Sequence, residues 1–377
     1  MSERKTLNIG MVGFGSMGKT HSYAIRNLPH FFGKTDFTAR VAGLCTTSFE
    51  RAQALCEQYD LGTAAHDFEE LVARPDIDII DICTPNTTHV DMVCRALAMG
   101  KHVLCEKPLC VTMQEAARIL EAEKESGCVC GMVFNNRFMA PMLRAKQLID
   151  EGRLGRILSF RVNYEHNSST FPDKDPGWKQ TAAFGGGVLF DLGSHAIDLI
   201  RHLCGDFESV QGMSQIAFPT HGDWQTDADE AFYITAKLQS GACGTIVANK
   251  LATGVNDDLS LAIYGERGSI KYELMEPEWL YFYDNDRPAS PMGGERGFTR
   301  IECVGRYPTP GGDFPSPKAS VGWLRCHVES MDRYLSCVAS GTPFSPSLFD
   351  GAYVQAVMQA ALDSDRNGGV RTEVTLP

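Results

Sequence analysis

The sequence contains no uninterrupted apolar run approaching the roughly 18 residues a membrane-spanning helix needs, so no span is expected. It also lacks a basic run or stripe. Its 35 Lys and Arg are outnumbered by 47 Asp and Glu, leaving a net charge of −12, and nothing suggests a nucleic-acid surface. The first residues, Met1 to Thr6, lead straight into a strand-like run without the apolar core of a signal peptide. A soluble, cytoplasmic chain is expected. No Cys-x-x-Cys occurs either. The thirteen cysteines are scattered, mostly inside apolar runs, and are expected to be reduced, buried small hydrophobes rather than disulfide partners or zinc ligands.

What is present points to two domains. The chain has 377 residues, 43% of them hydrophobic, enough for two cores. Leu7 to Val12 reads as a short apolar strand. It runs into Gly13-Phe14-Gly15-Ser16-Met17-Gly18, followed by a helical pattern with Tyr23, Ala24 and Leu28 on its apolar face. In a G-x-G-x-x-G so placed, the first glycine permits the tight turn. The second lets the backbone approach a pyrophosphate, and the third lets helix and strand pack closely. The helix N-terminus then offers unpaired N–H groups to the phosphates. Strand-like and helical stretches alternate from there to about Phe134, including a capping box at Thr112 and Glu115. Such alternation predicts a parallel sheet with helices on both faces.

The end of the second strand is informative by a further absence. An acid there grips the ribose 2′-hydroxyl in NAD enzymes, but this corner reads Thr46-Thr47-Ser48, with no carboxylate before Glu50. Small hydroxyl residues leave room for a 2′-phosphate. NAD and NADP both remain open as the cofactor.

A later strand, Val103 to Cys105, ends in Glu106-Lys107-Pro108. Ligands of open α/β sheets sit outside the carboxyl ends of the strands, so this turn puts a carboxylate and an ammonium where a ligand would lie. The second half changes rhythm. Strand-like runs at about 156–164, 207–218, 230–240, 243–252, 259–264 and 269–273 follow one another, predicting an α+β domain with a large open mixed or antiparallel sheet. Embedded in it, Gly185-Gly186-Gly187 reads as a flexible approach to a helix carrying Asp191 and His195, which at i, i+4 share a helical face. Taken alone, the pair describes a buried histidine with its hydrogen-bond partner as well as it describes a catalytic dyad. Two side chains with no second His or Cys cluster do not complete a metal site. Arg287 to Pro317 holds twelve Gly and Pro residues and reads as a long loop, a lid or an inter-subunit arm.

The order and spacing of the glycine turn, of Cys83-Thr84-Pro85-Asn86-Thr87-Thr88-His89, of Glu106-Lys107-Pro108 and of the glycine-led Asp191/His195 helix resemble the glucose–fructose oxidoreductase/inositol dehydrogenase (Gfo/Idh/MocA) family. The resemblance covers essentially the whole chain. It implies an N-terminal Rossmann domain over 1–133 and a substrate-binding and oligomerisation domain over 134–377, with a last helix at about 348–366 packing near their junction. It further implies that Thr84, Pro85, Asn86, His89 and Glu106 join Gly13 to Gly18 and Thr46 to Ser48 around the cofactor. Lys107, Asp191 and His195 would be catalytic, and Tyr164 and Trp178 would line the substrate with Lys107 and His195. His166 and Asn167 lie on the same approach. The implied Lys107–Pro108 bond is cis. The implied activity is NAD(P)-dependent hydride transfer at a ring hydroxyl or ketone of a sugar, glycoside or cyclitol, in a homo-oligomer. Two other readings stay open: an enzyme that retains and recycles its nucleotide, and a dinucleotide-binding sensor without catalysis.

Overall fold

The computed structural model describes residues 4–33, 35–171 and 177–376. Contacts divide the chain into two units, one reaching to Phe138 and taking in Tyr307–Tyr353, the other comprising Met139–Arg306 and Val354–Leu376.

The first unit is a parallel sheet. In chain order it contains β1 (Lys5–Val12), α1 (Ser16–Phe32), β2 (Phe37–Cys45), α2 (Phe49–Tyr59), β3 (Thr63–Ala64), α3 (Phe68–Ala73), β4 (Ile79–Ile82), α4 (His89–Ala98), β5 (His102–Cys105), α5 (Met113–Ser126) and β6 (Cys130–Met132). The strands lie in the order β3-β2-β1-β4-β5-β6, every pair parallel. The β4 strand is buried along its whole length, as a strand covered on both faces must be, and this explains an apolar character broken by Asp81 alone. Strand order reverses between β1 and β4, the switch point where such sheets bind ligands. The capping box is present: Thr112 Oγ1 accepts the Glu115 N–H at 3.2 Å, and Glu115 Oε2 accepts the Thr112 N–H at 3.1 Å. Of the expected apolar face of α1, Ala24 and Leu28 are buried, but Tyr23 is exposed because Ile25 fills the packing position instead.

The second unit holds α6 (Ala140–Asp150), β7 (Ile157–Glu165), α7 (Ser194–Cys204), β8 (Phe207–Gln215), the small hairpin β9 (Thr220–His221) and β10 (Trp224–Gln225), then β11 (Ala231–Leu238), β12 (Cys243–Asn249), β13 (Asp258–Gly265), β14 (Gly268–Glu273), β15 (Trp279–Asp284) and β16 (Phe298–Glu302). Nine strands form one mixed sheet, β16-β15-β14-β13-β7-β12-β11-β8-β17, where β17 is Thr372–Glu373. Only β7 and β12 run parallel. Burial alternates along β11 and β15, the signature of a sheet packed on one face, and α7 lies against β7 and β12.

Two stretches differ from expectation. The Gly- and Pro-rich segment 287–317 is not one long loop, because β16 pairs with β15 at the sheet edge within it. From Tyr307 onward the chain rejoins the first unit, so the expected second domain gives up 307–353. Its anchor is Arg325, at the start of α8 (Leu324–Ser340). The guanidinium lies 4.9 Å and 5.3 Å from the ring centroids of Phe31 and Phe32 on α1, and within the returning segment it bonds the Gly311 carbonyl and Glu329. The last helix, α9 (Leu348–Arg366), runs from one unit into the other. Its later turns lie on β8, where a Cβ at Gly212 would stand 2.4 Å from the Ala361 carbonyl oxygen. All thirteen cysteines are free, and Cys243 is exposed rather than buried because it opens β12 at a turn. Among the described residues no helix is long and apolar enough to cross a membrane.

The α8 helix also carries a stability cost. Burial, with the Glu329 charge beside it, pushes the Asp332 carboxyl up from 3.8 to about 7, and its Oδ1 finds no hydrogen-bond partner. A raised acid favours folding below its unfolded pKa and loses that contribution as pH rises through the folded value. Asp332→Asn is therefore expected to raise Tm, with a gain that grows from about pH 4 to about pH 7 and is flat above. Thermal melts across that range check it.

Candidate active site

In the first unit the glycine turn has the three roles its spacing predicts. Gly13 has φ +86, and a Cβ there would lie 2.4 Å from the Cys83 carbonyl oxygen. A Cβ at Gly18 would lie 2.5 Å from the Gly13 carbonyl oxygen, whereas one at Gly15 would meet nothing within 4 Å. The first and third glycines are thus required by packing, and the second leaves open space. No side chain caps α1, so its first N–H groups are available to an anion. Phe14 is buried, its ring 5.1 Å from Tyr59, which leaves only its backbone to face a ligand. Ser16 is exposed and Met17 half-buried.

At the end of β2, Thr46 Oγ1 donates to the Ser48 carbonyl at 2.9 Å, and Ser48 Oγ caps α2 by accepting the Arg51 N–H at 3.2 Å. The Ser48 hydroxyl proton and the exposed Thr47 remain to meet a ribose. At the end of β4, Thr84 is half-buried and Pro85 exposed, while Asn86 is buried. His89 has no exposed surface, and its ring nitrogens face the Pro108 carbonyl at 2.9 Å and the Thr84 carbonyl at 3.0 Å. Burial holds its pKa below the usual range. His89 thus ties the two loops together and presents no surface of its own to a ligand. The Lys107–Pro108 bond is cis. Glu106 is 5% exposed and its Oε2 accepts the Lys107 backbone N–H at 3.1 Å.

Three donor groups, on His21, Asp81 and Cys83, lie within 4.8 Å of one another. A metal there would require a neutral imidazole and a thiolate. Burial instead pushes the Cys83 thiol up to about 12, and although burial opposes it, the charge of Asp81 lifts His21 well above its usual range. As they stand, His21 and Asp81 form an ion pair with the Cys83 thiol beside it.

In the second unit the helix carrying the candidate dyad starts irregularly. Leu189–Gly193 is a π-helical turn running into α7, a distortion that recurs at functional sites. The triple glycine is a close-packed approach rather than a flexible one. Gly187 has φ +112, and a Cβ there would stand 2.3 Å from Asp229 Oδ1. That carboxylate also accepts the Leu189 N–H at 2.7 Å, satisfying an orphan donor of the helix start. Burial pushes the Asp229 carboxyl up to about 6. Asp191 sits between two ammonium groups, Lys250 Nζ at 2.9 Å and Lys179 Nζ at 3.2 Å. His195 is 9% exposed, with its ring centroid 5.9 Å from that of buried Tyr164. Burial and the Lys250 charge bring His166 down to about 4, leaving a neutral ring at neutral pH. Trp178 is half-buried, 5.9 Å from Lys179 Nζ.

Residues 7–134 match the family described as "Oxidoreductase family, NAD-binding Rossmann fold", and residues 142–271 match the GFO/IDH/MocA C-terminal domain. The chain belongs to the GFO/IDH/MocA family. It is 29% identical to the levoglucosan dehydrogenase of Pseudarthrobacter phenanthrenivorans over 96% of each chain. It is 24% identical to the inositol 2-dehydrogenase of Rhizobium meliloti over 95% of this chain and 97% of that one. A solved levoglucosan dehydrogenase complex with NADH and levoglucosan superposes with a TM-score of 0.93 at 28% identity, covering 98% of this chain and 100% of that one. Within this GFO/IDH/MocA chain, sequence reasoning did not single out Lys179, Lys250 and Asp229 around the dyad, or His21 and Asp81 beneath the glycine turn. Lys250 follows an alternating strand much as Lys107 follows β5, which was the one available signal. The others lie far in sequence from the groups they meet.

Proposed function

We propose that the chain is an NAD-dependent dehydrogenase acting on a ring hydroxyl or ketone of a sugar, glycoside or cyclitol, with Lys107, Asp191 and His195 as its catalytic residues. The observation that carries this reading is the open Gly15 beside an uncapped α1 N-terminus, in a chain that also presents Lys107 at a strand end and His195 at a distorted helix start. Names of the relatives support it, since they are sugar and cyclitol dehydrogenases. Gly13 to Gly18 and the corner Thr46 to Ser48 would hold the dinucleotide, with the Thr84–Asn86 loop and Glu106 beside it. When bound, that cofactor supplies the hydride acceptor or donor. His195 takes the hydroxyl proton as general base, or returns it in the reverse direction. Asp191 orients His195 while its carboxylate is paired with Lys250 and Lys179. Lys107 stabilises negative charge developing on the substrate oxygen. Tyr164 and Trp178 shape the substrate approach. The enzyme is proposed to be cytoplasmic and to assemble as a homo-oligomer.

The test incubates purified protein with NAD⁺ or NADP⁺ and a panel of sugars, glycosides and cyclitols, following the absorbance of the reduced nicotinamide. Reduction with one substrate class, faster with NAD⁺, is the expected result. Nucleotide that binds but changes redox state with no member of the panel would overturn the reading.

A further inference from the structure

Beneath the glycine turn, α1 carries a histidine whose ring nitrogens both face carboxylates. His21 is 1% exposed. Its Nδ1 lies 3.0 Å from both oxygens of Asp81, and its Nε2 lies 3.1 Å from Glu106 Oε1. Both partners are carboxylates, anionic acceptors that favour a cation between them, and only a protonated imidazole donates an N–H to each. The other oxygen of Glu106 holds the Lys107 backbone N–H. One carboxylate therefore joins the histidine of the dinucleotide helix to the backbone of the lysine that ends β5.

We propose that His21 is a positioning residue for the reaction, an imidazolium that fixes the Glu106 carboxylate and through it the backbone from which Lys107 projects. The proposal rests on the assignment of Lys107 as catalytic. Charges around the ring agree with it. Burial would raise the Glu106 carboxyl, yet its bond to His21 and the His21 charge bring it down to about 2. The groups facing this pair are Asp81 and Cys83 from β4, Cys105 and Lys107 from β5 and its end, and His327 from α8. Cys105 and Cys83 are held as thiols by burial. Burial, with the charge of His21 beside it, brings His327 down to about 3, so that ring is neutral and adds no second cation. Removing His21 leaves Glu106 buried with its main counter-charge gone, and its pKa must rise. A protonated Glu106 holds the Lys107 N–H more weakly, and a small displacement of a catalytic group costs up to about 10²-fold in rate.

The test compares His21→Gln with the parent and with Lys107→Met, measuring kcat, KM and the Kd of NADH across pH. Should His21→Gln fail to fold, the double variant Asp81→Asn/His21→Gln replaces it, because it removes one of the two carboxylates that loss of the cation leaves uncompensated and keeps Glu106 as the group under test. The expected result is a kcat lowered about 10–10²-fold, with KM and the NADH Kd unchanged and the acid limb of the kcat profile moved toward neutral pH. A parent-like kcat and pH profile in a folded variant would overturn the proposal. So would a weakened NADH Kd with unchanged kcat, which would make His21 only a prop for α1. If Lys107→Met itself keeps full turnover, the catalytic assignment fails; if Lys107→Met is inactive while His21→Gln is parent-like, only the positioning role fails.

Discussion

Lys107→Met and His195→Ala are each expected to lower turnover about 10²–10⁴-fold, with NADH affinity nearly intact. Methionine keeps the length and apolar stem of lysine while removing the ammonium, so the change isolates charge at the oxygen where negative charge develops. The Lys107 backbone remains tied to Glu106 Oε2, and His21 still holds Glu106 ionised, so the turn should keep its shape. In the second unit, alanine at 195 removes the proton acceptor and leaves Asp191 with its two lysines, so no buried charge is stranded by the substitution. Steady-state kinetics with the substrate class identified above, alongside fluorescence titration with NADH, provides the check. Full activity in both variants would remove the mechanism.

The second large effect is expected at the glycine turn, where two neighbouring glycines should fail in opposite ways. Gly13→Ala places a Cβ 2.4 Å from the Cys83 carbonyl oxygen at φ +86. Strain of this kind costs about 1–3 kcal/mol before the clash is counted, so a clear drop in Tm is expected without any cofactor present. Gly15→Val places its side chain in open space, at an extended backbone angle with φ −80. The apoprotein should therefore melt where the parent does. What it should lose is the approach of phosphate to the α1 N–H groups. Hydrogen bonds to charged groups contribute about 1.5–3 kcal/mol each, so losing one or two weakens NADH binding by about 10²-fold. Melting without cofactor and titration with NADH separate the outcomes. A Gly15→Val protein that binds NADH like the parent would show that the dinucleotide does not lie on this turn.

Much of this protein was legible in its sequence because the features concerned are local. The glycine turn, the Thr112/Glu115 capping box and the strand-like runs that become β11 and β12 are each fixed by residues within a few positions of one another, through backbone angles, caps and local strand propensity. The alternation of strands and helices likewise determined a doubly wound first half and a strand-rich second half. The placement of Lys107 after β5 and of His195 near a helix start followed from the same patterns.

Other features had no local signal. The return of 307–353 to the first unit brings Arg325 against Phe31 and Phe32 of α1, and a Gly- and Pro-rich stretch gives no sign of where it will be pinned. The triple glycine looked like slack and is a close contact with Asp229, some forty residues away. His21 looked like one more residue of an amphipathic helix, and Asp81 like an acid at a strand end. Their meeting with Glu106 joins positions sixty and eighty-five residues apart. The sequence by itself thus determined the elements, the turn chemistry and which side chains are the candidates for the reaction. Only the tertiary structure decided which charges are buried against which. Charge pairing in a low-dielectric interior depends on distance and desolvation, and both exist only once the strands are side by side.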